Sequence, residues 1–498
     1  MFAQQHPGHN CAAQPSSSLD QPHNIEPLLT RPSRQEKLHL ASAAPICIHG
    51  LTFPTVPSTF NPTTMYPIEV KKTVLAPFQC QGARIVSRMY SSQLPGCQVH
   101  RDDVNLLLRK ELDERVINTT PDFIYQLFSE TRKPLIIDEK FYLALSETNI
   151  TRGNLSVPFY DKRTRSLNGP ASYSEEHLAN WLNLLSEVMG KVRDSATPST
   201  RIWSHVCRNR SPIGSNITRK PDLVLIDKSY HRILETNFDH QLDWCFIKAF
   251  GEVTTEERMP SRMINTINTK SFLVFQSQVN CRFVICLGFT GDGNFTLTLT
   301  DREGQLRWYR MPIFDNKKHY EVFFHVFSFL MFGEDSDIGL DPNFKVNGFG
   351  KLLEIIVDEK HFVVEILVYE LSCIVGRATR VWVVKHDNKR YVLKDSWIQD
   401  HHVDSEVDIL QRMMRLMTEH DEVKASIPQF FCGGNIMVDG LLDCTGRYRK
   451  DLRGWPESQR IHRRIVSSPI GEPITAFRSK KEFIQAIISI IKGALLCS

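Results

Sequence analysis

From Asp102 to about residue 360 the apolar positions recur first with helical spacing and then with strand spacing. VNLLLRKELDERV and FIYQLFSET repeat their apolar residues at three and four positions, which predicts two amphipathic helices. A third helix opens at Ser174, with Leu178, Trp181, Leu182, Leu184, Leu185 and Val188 on one face, Ser172 or Ser174 as the N-cap, and Gly190 at its end. Lys220 to Asp227 is continuously apolar after its first residues, the mark of a strand covered on both faces. HRILETNFDHQ reads as a polar connection, and Asp243 to Thr254 as a second strand. A helix is expected over Ile264–Gln278. CRFVICLGFTG and NFTLTLTDREGQLRWYRM then form a meander that turns at Asp301-Arg302-Glu303-Gly304. YEVFFHVFSFLMFG predicts a buried helix.

The pattern restarts at residue 361. HFVVEILVYELSC, Val381 to Val384 and Arg390 to Leu393 read as successive strands, with Asp387-Asn388 turning between the last two and Lys394 closing the third. A helix beginning near Glu406 follows, then strands at Ile427–Phe431 and Arg460–Val466, a connection at Ser467–Gly471, and the amphipathic helix SKKEFIQAIISIIKGALLCS. Residues 1–95, rich in Pro, Ser, Gln, Thr and His, cannot bury enough surface to offset their ordering and are expected to be disordered. The expected fold class is α+β: a disordered tail, an α/β domain over 96–360, and a five-stranded antiparallel sheet plus one helix over 361–498.

Composition narrows the function classes. An apolar fraction of 41% and a charged fraction of 23% are those of an ordinary globular chain. A net charge of +4 over 498 residues gives no call for a nucleic-acid partner. No apolar run is long enough to span a bilayer, so no membrane association is expected. The 12 cysteines show no C-x-x-C pair, and reduced thiols inside the cell, in cytosol or nucleus, are the expectation.

A cation at the end of a buried strand needs an anion to meet it. Lys394 has one candidate in Glu406 on the next helix, the arrangement by which protein kinases hold the phosphates of ATP. Several blocks in order, RKPDLVLID, LTDREG, GRATRVW, YVLKDSW and IHRRIVSSPIGEPI, resemble the fungal-type protein kinases over roughly residues 170–498. The resemblance implies a protein-kinase N-lobe, ATP and Mg²⁺ as cofactors, Ser/Thr phosphorylation as the family activity, and a protein substrate that the sequence does not name. It places Gly376 at the middle glycine of the phosphate-covering loop and Val381 against the adenine. It makes Lys394 the phosphate cation and Glu406 its partner, and puts the adenine hinge at Ser468 to Ile470. Ile374 and Thr379 stand where the outer glycines would be.

The same resemblance demands a catalytic Asp, an Asn and an Asp-Phe-Gly turn. Asp-Phe-Gly occurs nowhere, and the one His-Arg-Asp, at 100–102, is far upstream and lacks its Asn. The reading is a kinase-like chain that stops before its catalytic loop, either a truncated gene model or a relic, inactive alone. The final helix would then expose part of its apolar face.

A second constellation, Pro221-Asp222 with Gly251-Glu252-Val253-Thr254, is similar to the P-D…(D/E)-x-K pattern of restriction-endonuclease-like folds, where two strand-end carboxylates hold Mg²⁺. Thr254 stands at the Lys position, and Lys248 lies roughly 20 Å off by strand rise. The alternatives are therefore a nuclease-like or nucleic-acid-binding module with Asp222 and Glu252 as metal ligands, ordinary structural carboxylates, or a non-enzymatic interaction scaffold. His401-His402 beside Asp404 suggests a metal less than two solvated histidines, and the cation-rich RYRKDLRGW with Arg460 and His462-Arg463-Arg464 is a local basic cluster, read as a solvated loop ahead of a contact for an acidic partner or nucleic acid.

Overall fold

The computed structural model describes residues 101–129, 135–193, 198–237, 239–257, 260–400, 405–417, 428–449, 452, 459–472 and 476–497. The tail expected over 1–95 lies outside them, as do His401, His402 and Asp404. In chain order the main elements begin with α1 (Arg101–Leu112), β1 (Val116–Asn118), α2 (Pro121–Ser129), α3 (Glu139–Glu147), α4 (Glu175–Val192) and β2 (Arg201–Ser204). There follow β3 (Leu223–Asp227), α5 (Lys228–Thr236), β4 (Ala249–Val253), α6 (Ser261–Ser277), β5 (Phe283–Phe289), β6 (Asn294–Asp301), β7 (Gly304–Pro312) and α7 (Lys317–Phe332). The second half holds β8 (Phe344–Val346), β9 (Leu352–Val357), β10 (Lys360–Glu370), β11 (Arg380–His386), β12 (Lys389–Gln399), α8 (Glu406–Met417), β13 (Gln429–Asn435), β14 (Arg460–Ser468) and α9 (Lys480–Cys497).

The first sheet runs β1-β7-β6-β5-β4-β3-β2, parallel at β1–β7 and β4–β5 and antiparallel elsewhere. Alternation explains its apolar runs. Leu223 and Leu225 face the core built by α2, α3, α4 and α7, while Val224 and Ile226 face the one built by α1 and α6. Ser174 caps α4 as expected, accepting the His177 N–H at 3.2 Å. The strand expected from Lys220 begins at Leu223, and the one expected over Asp243–Thr254 contracts to β4 behind a 3-10 turn that Asp243 caps. The first part of the stretch read as a polar connection, His231–Thr236, belongs to α5, an amphipathic helix that buries Leu234.

The second sheet runs β8-β9-β10-β11-β12-β14-β13 and is antiparallel throughout. It carries seven strands where five were expected, because the β8–β9 hairpin joins its edge; it therefore begins at Phe344, ahead of the expected boundary at 361. Lys394 does not close its strand. β12 continues to Gln399, and Lys394 lies mid-ladder between Val381 and Ile465. On α9, Ile484, Ile488 and Ile491 are exposed. Among the described residues no helix is long and apolar enough to cross a membrane.

Candidate functional site

Lys394 Nζ lies 2.7 Å from both Oε1 and Oε2 of Glu406. Glu406 sits in the first turn of α8, where acidic side chains are favoured by the helix dipole. A reciprocal cap fixes that turn: Ser405 N–H donates to Asp408 at 3.0 Å, and Asp408 N–H donates to Ser405 Oγ at 3.1 Å. Both partners of the ion pair remain partly open to solvent, at 27% and 36% of their side-chain surface, so the pair orients the lysine more than it stabilises the fold. A pocket of about 300 Å³ opens beside Glu406, lined among others by Arg377, Gln399, Ile409, Asn435 and Arg463.

The loop between β10 and β11 is held away from solvent. Ile374 and Val375 are buried in the core that α1 and α6 share with the first sheet. Their N–H groups both donate to Glu111 Oε1 of α1, at 2.6 and 2.7 Å. The other oxygen of Glu111 is buried without a hydrogen bond. Burial pushes the Glu111 carboxyl up to about 7, against the pull of the two N–H groups and of Arg302. Gly376 N–H donates to the Arg302 carbonyl at 3.0 Å, and Arg302 Nη1 donates to the Cys373 carbonyl at 2.7 Å. The Arg302 guanidinium also stacks 3.9 Å over the Phe275 ring. Gly376 adopts φ of +132°, which L side chains avoid.

The structure thus joins Lys394 to Glu406 and sets Val381 beside Lys394 in the ladder, while the contacts of Gly376 run to Arg302. Ser468 ends β14 opposite Gln429, and Ile470 follows it half-buried.

A larger set of charges went unread in the sequence. His462 Nδ1 lies 2.8 Å from Asp443 Oδ2, and its Nε2 lies 3.0 Å from Asp395 Oδ1. Arg282 Nη1 donates to the other oxygen of Asp443 at 2.8 Å. Arg464 donates through Nε to Asp395 at 2.8 Å and through Nη2 to Asp341 at 2.7 Å. Burial works against the His462 imidazolium, but the two carboxylates outweigh it and raise the group to about 9. Asp395 is likewise opposed by burial, and His462 and Arg464 hold it well below the usual carboxylate range.

Two further links tie the sheets together. Arg449 Nη2 donates to Asp301 Oδ1 at 2.7 Å, and Arg460 Nε lies 3.0 Å from Glu303 Oε2. Arg449, Arg460, His462, Arg463 and Arg464 are all buried. The expectation that these cations form a solvated segment is therefore corrected: each faces a carboxylate or amide acceptor that sequence distance had hidden. Strand alternation in LTDREG and KDSW was the available signal, since it places Asp395 on the face opposite Lys394.

At the second constellation, Asp222 Oδ2 accepts the Val253 N–H at 2.7 Å, so it fastens β3 to β4. Glu252 is buried and takes a hydrogen bond from Lys270 Nζ of α6. Burial raises the Glu252 carboxyl to about 7, opposed by Lys270 and assisted by Asp222. Lys248 turns away to Asp227 and Asp335. Among the described residues no three His, Cys, Asp or Glu side chains are grouped to hold a metal ion.

The model of the family described as fungal protein kinase matches residues 220–453. No curated protein and no solved structure matches the chain. The matched stretch opens just ahead of β3 and takes in Asp222, Glu252, Asp301, Arg302, Lys394, Glu406 and Asp443, so β3 to β7 of the first sheet fall inside it together with the second sheet apart from β14. Over those residues the chain is similar to the fungal protein kinase family.

Proposed function

We infer that the second sheet with α8 is a nucleotide-binding lobe, in which Lys394 meets the phosphates of ATP and Glu406 holds it in place. The observation that carries this reading is the pair of 2.7 Å contacts from Lys394 Nζ to the two Glu406 oxygens. A lysine mid-strand, clamped by a glutamate at a helix start, fits a group that presents polyphosphate oxygens. The strand order β10-β11-β12-β14-β13 supports it, since the lysine strand lies at the centre with Val381 beside it. Val381 is assigned to the adenine face, Gly376 to the loop nearest the phosphates, and Ser468 to Ile470 to the adenine edge.

Phosphoryl transfer is not part of the proposal. The two carboxylates weighed for Mg²⁺ are already engaged, Asp222 by the Val253 N–H and Glu252 by Lys270. Thermal unfolding with ATP and ADP, with and without Mg²⁺, tests the reading. A nucleotide-dependent rise in Tm is expected, lost in Lys394→Ala; no shift with any nucleotide overturns it.

A second reading has one specific observation in its favour. Lys270 brings to Glu252 the cation that Thr254 lacks, so Asp222, Glu252 and Lys270 retain the acid, acid and cation set of a nuclease-like site. It ranks second because Lys270 already neutralises the carboxylate a metal would need. Divalent-metal-dependent cleavage of DNA or RNA, abolished in Asp222→Ala, would favour it; intact substrate at high protein concentration would remove it.

A further inference from the structure

We propose that the Glu111 carboxylate is a built-in competitor for the phosphate-binding backbone of the loop at residues 373–377, latching that loop against the first sheet until it is displaced. The proposal rests on the nucleotide-binding reading above. Two consecutive N–H groups converge on one carboxylate oxygen, at 2.6 Å from Ile374 and 2.7 Å from Val375. Successive backbone N–H groups aimed at one point form an anion-binding concavity. A phosphate oxygen would ask for the same donors, and an N–H engaged by Glu111 is not free for it.

Three features make the contact a latch. Gly376, at φ of +132°, turns its own N–H onto the Arg302 carbonyl, while Arg302 Nη1 grips the Cys373 carbonyl. The side chains of Ile374 and Val375 are buried among Val104, Leu108 and Leu112 of α1 and residues of α6. The second Glu111 oxygen is buried with no hydrogen-bond partner, so the carboxylate is held on one side only. Such a group is under-satisfied where it sits and is replaceable by a ligand that offers the loop more. The occupant is intramolecular, so its effective concentration is high, and a nucleotide binds weakly until α1 and the loop separate.

The test uses the full chain with Glu111→Ala and, as the milder change, Glu111→Gln, which keeps the side-chain volume. Amide hydrogen exchange of Ile374 and Val375 without nucleotide is expected to quicken by about tenfold in Glu111→Ala, the equilibrium equivalent of losing one charge-assisted contact, while the amides of β5 keep their protection. ATP titration should show an affinity about tenfold tighter in the variant than in the parent. Faster exchange with unchanged ATP affinity overturns the latch and leaves the nucleotide reading intact. Unchanged exchange overturns the latch outright. Absence of any ATP binding in parent and variants alike overturns the nucleotide reading, and the latch falls with it. Should Glu111→Ala fail to fold, the same measurements on Glu111→Gln decide, with a smaller change in the same direction.

Discussion

His462 Nε2 sits 3.0 Å from Asp395 Oδ1, on a carboxylate whose chain neighbour, Lys394, points to the opposite face of the strand. One residue step therefore separates a solvent-accessible lysine from the middle of a buried row of charges, Arg282–Asp443–His462–Asp395–Arg464–Asp341.

The histidine makes stability depend on pH in a definite direction. Its folded-state value, about 9, lies above the ordinary value of 6.5, so its contribution is complete below about 6.5 and is lost as pH rises through about 9. The Tm of the parent minus that of His462→Gln is expected to be largest near pH 6 and to shrink toward pH 10. A gap that widens in alkali would contradict the imidazolium assignment.

Burial decides what an arginine is worth here. Arg464 is fully buried between Asp395 and Asp341, so Arg464→Ala leaves Asp341 without its cation and Asp395 with His462 alone, and should cost about 3–5 kcal/mol. The Arg390–Glu365 pair is short, at 2.7 Å, but Arg390 is 55% exposed; Arg390→Ala should cost less than about 1 kcal/mol. Urea unfolding of the two variants side by side measures the difference.

Gly376→Ala isolates a backbone cost. A Cβ at this position would meet only Cys373 Sγ, at 3.5 Å, so space is adequate and the penalty comes from φ alone. A loss of about 1–3 kcal/mol is expected in chemical denaturation. A neutral result would mean that the loop can change its conformation without loss.

Lys270→Met should leave the Glu252 carboxylate buried without its cation. With the lysine gone, the folded-state value of Glu252 climbs further above the unfolded one, and a raised carboxyl loses stability as pH rises. The variant is therefore expected to lose more Tm at pH 8 than at pH 5. An equal loss at both would mean that packing rather than charge sets the cost.

Local pattern carried most elements into view. Helices α1, α2, α4, α6 and α7, the β5–β6–β7 meander and the Lys394–Glu406 pair were readable, because apolar spacing and strand-then-helix order are local signals, whereas α3 and α5 were not read as helices. Seven strands replaced five because Phe344–Val346 and Leu352–Val357 join by pairing, which spacing alone does not report. Lys270 was invisible as the partner of Glu252 because it arrives from α6, on a helix read only for its apolar face. The buried cations of β14 failed for the opposite reason. A dense run of Arg and His resembles a solvated loop unless the carboxylates at 341, 395 and 443 are known to close on it. Glu111 is the extreme case, since its partners lie more than half the chain away.

The links from Asp301 and Glu303 to Arg449 and Arg460 have a mechanical meaning. Sliding one sheet over the other by even one residue would break both pairs at once, separating Arg449, Arg460 and Asp301 from these partners and leaving Glu303 with Arg115 alone. Such a shear has no inexpensive first step, so any opening of this molecule must hinge around those four side chains rather than glide past them.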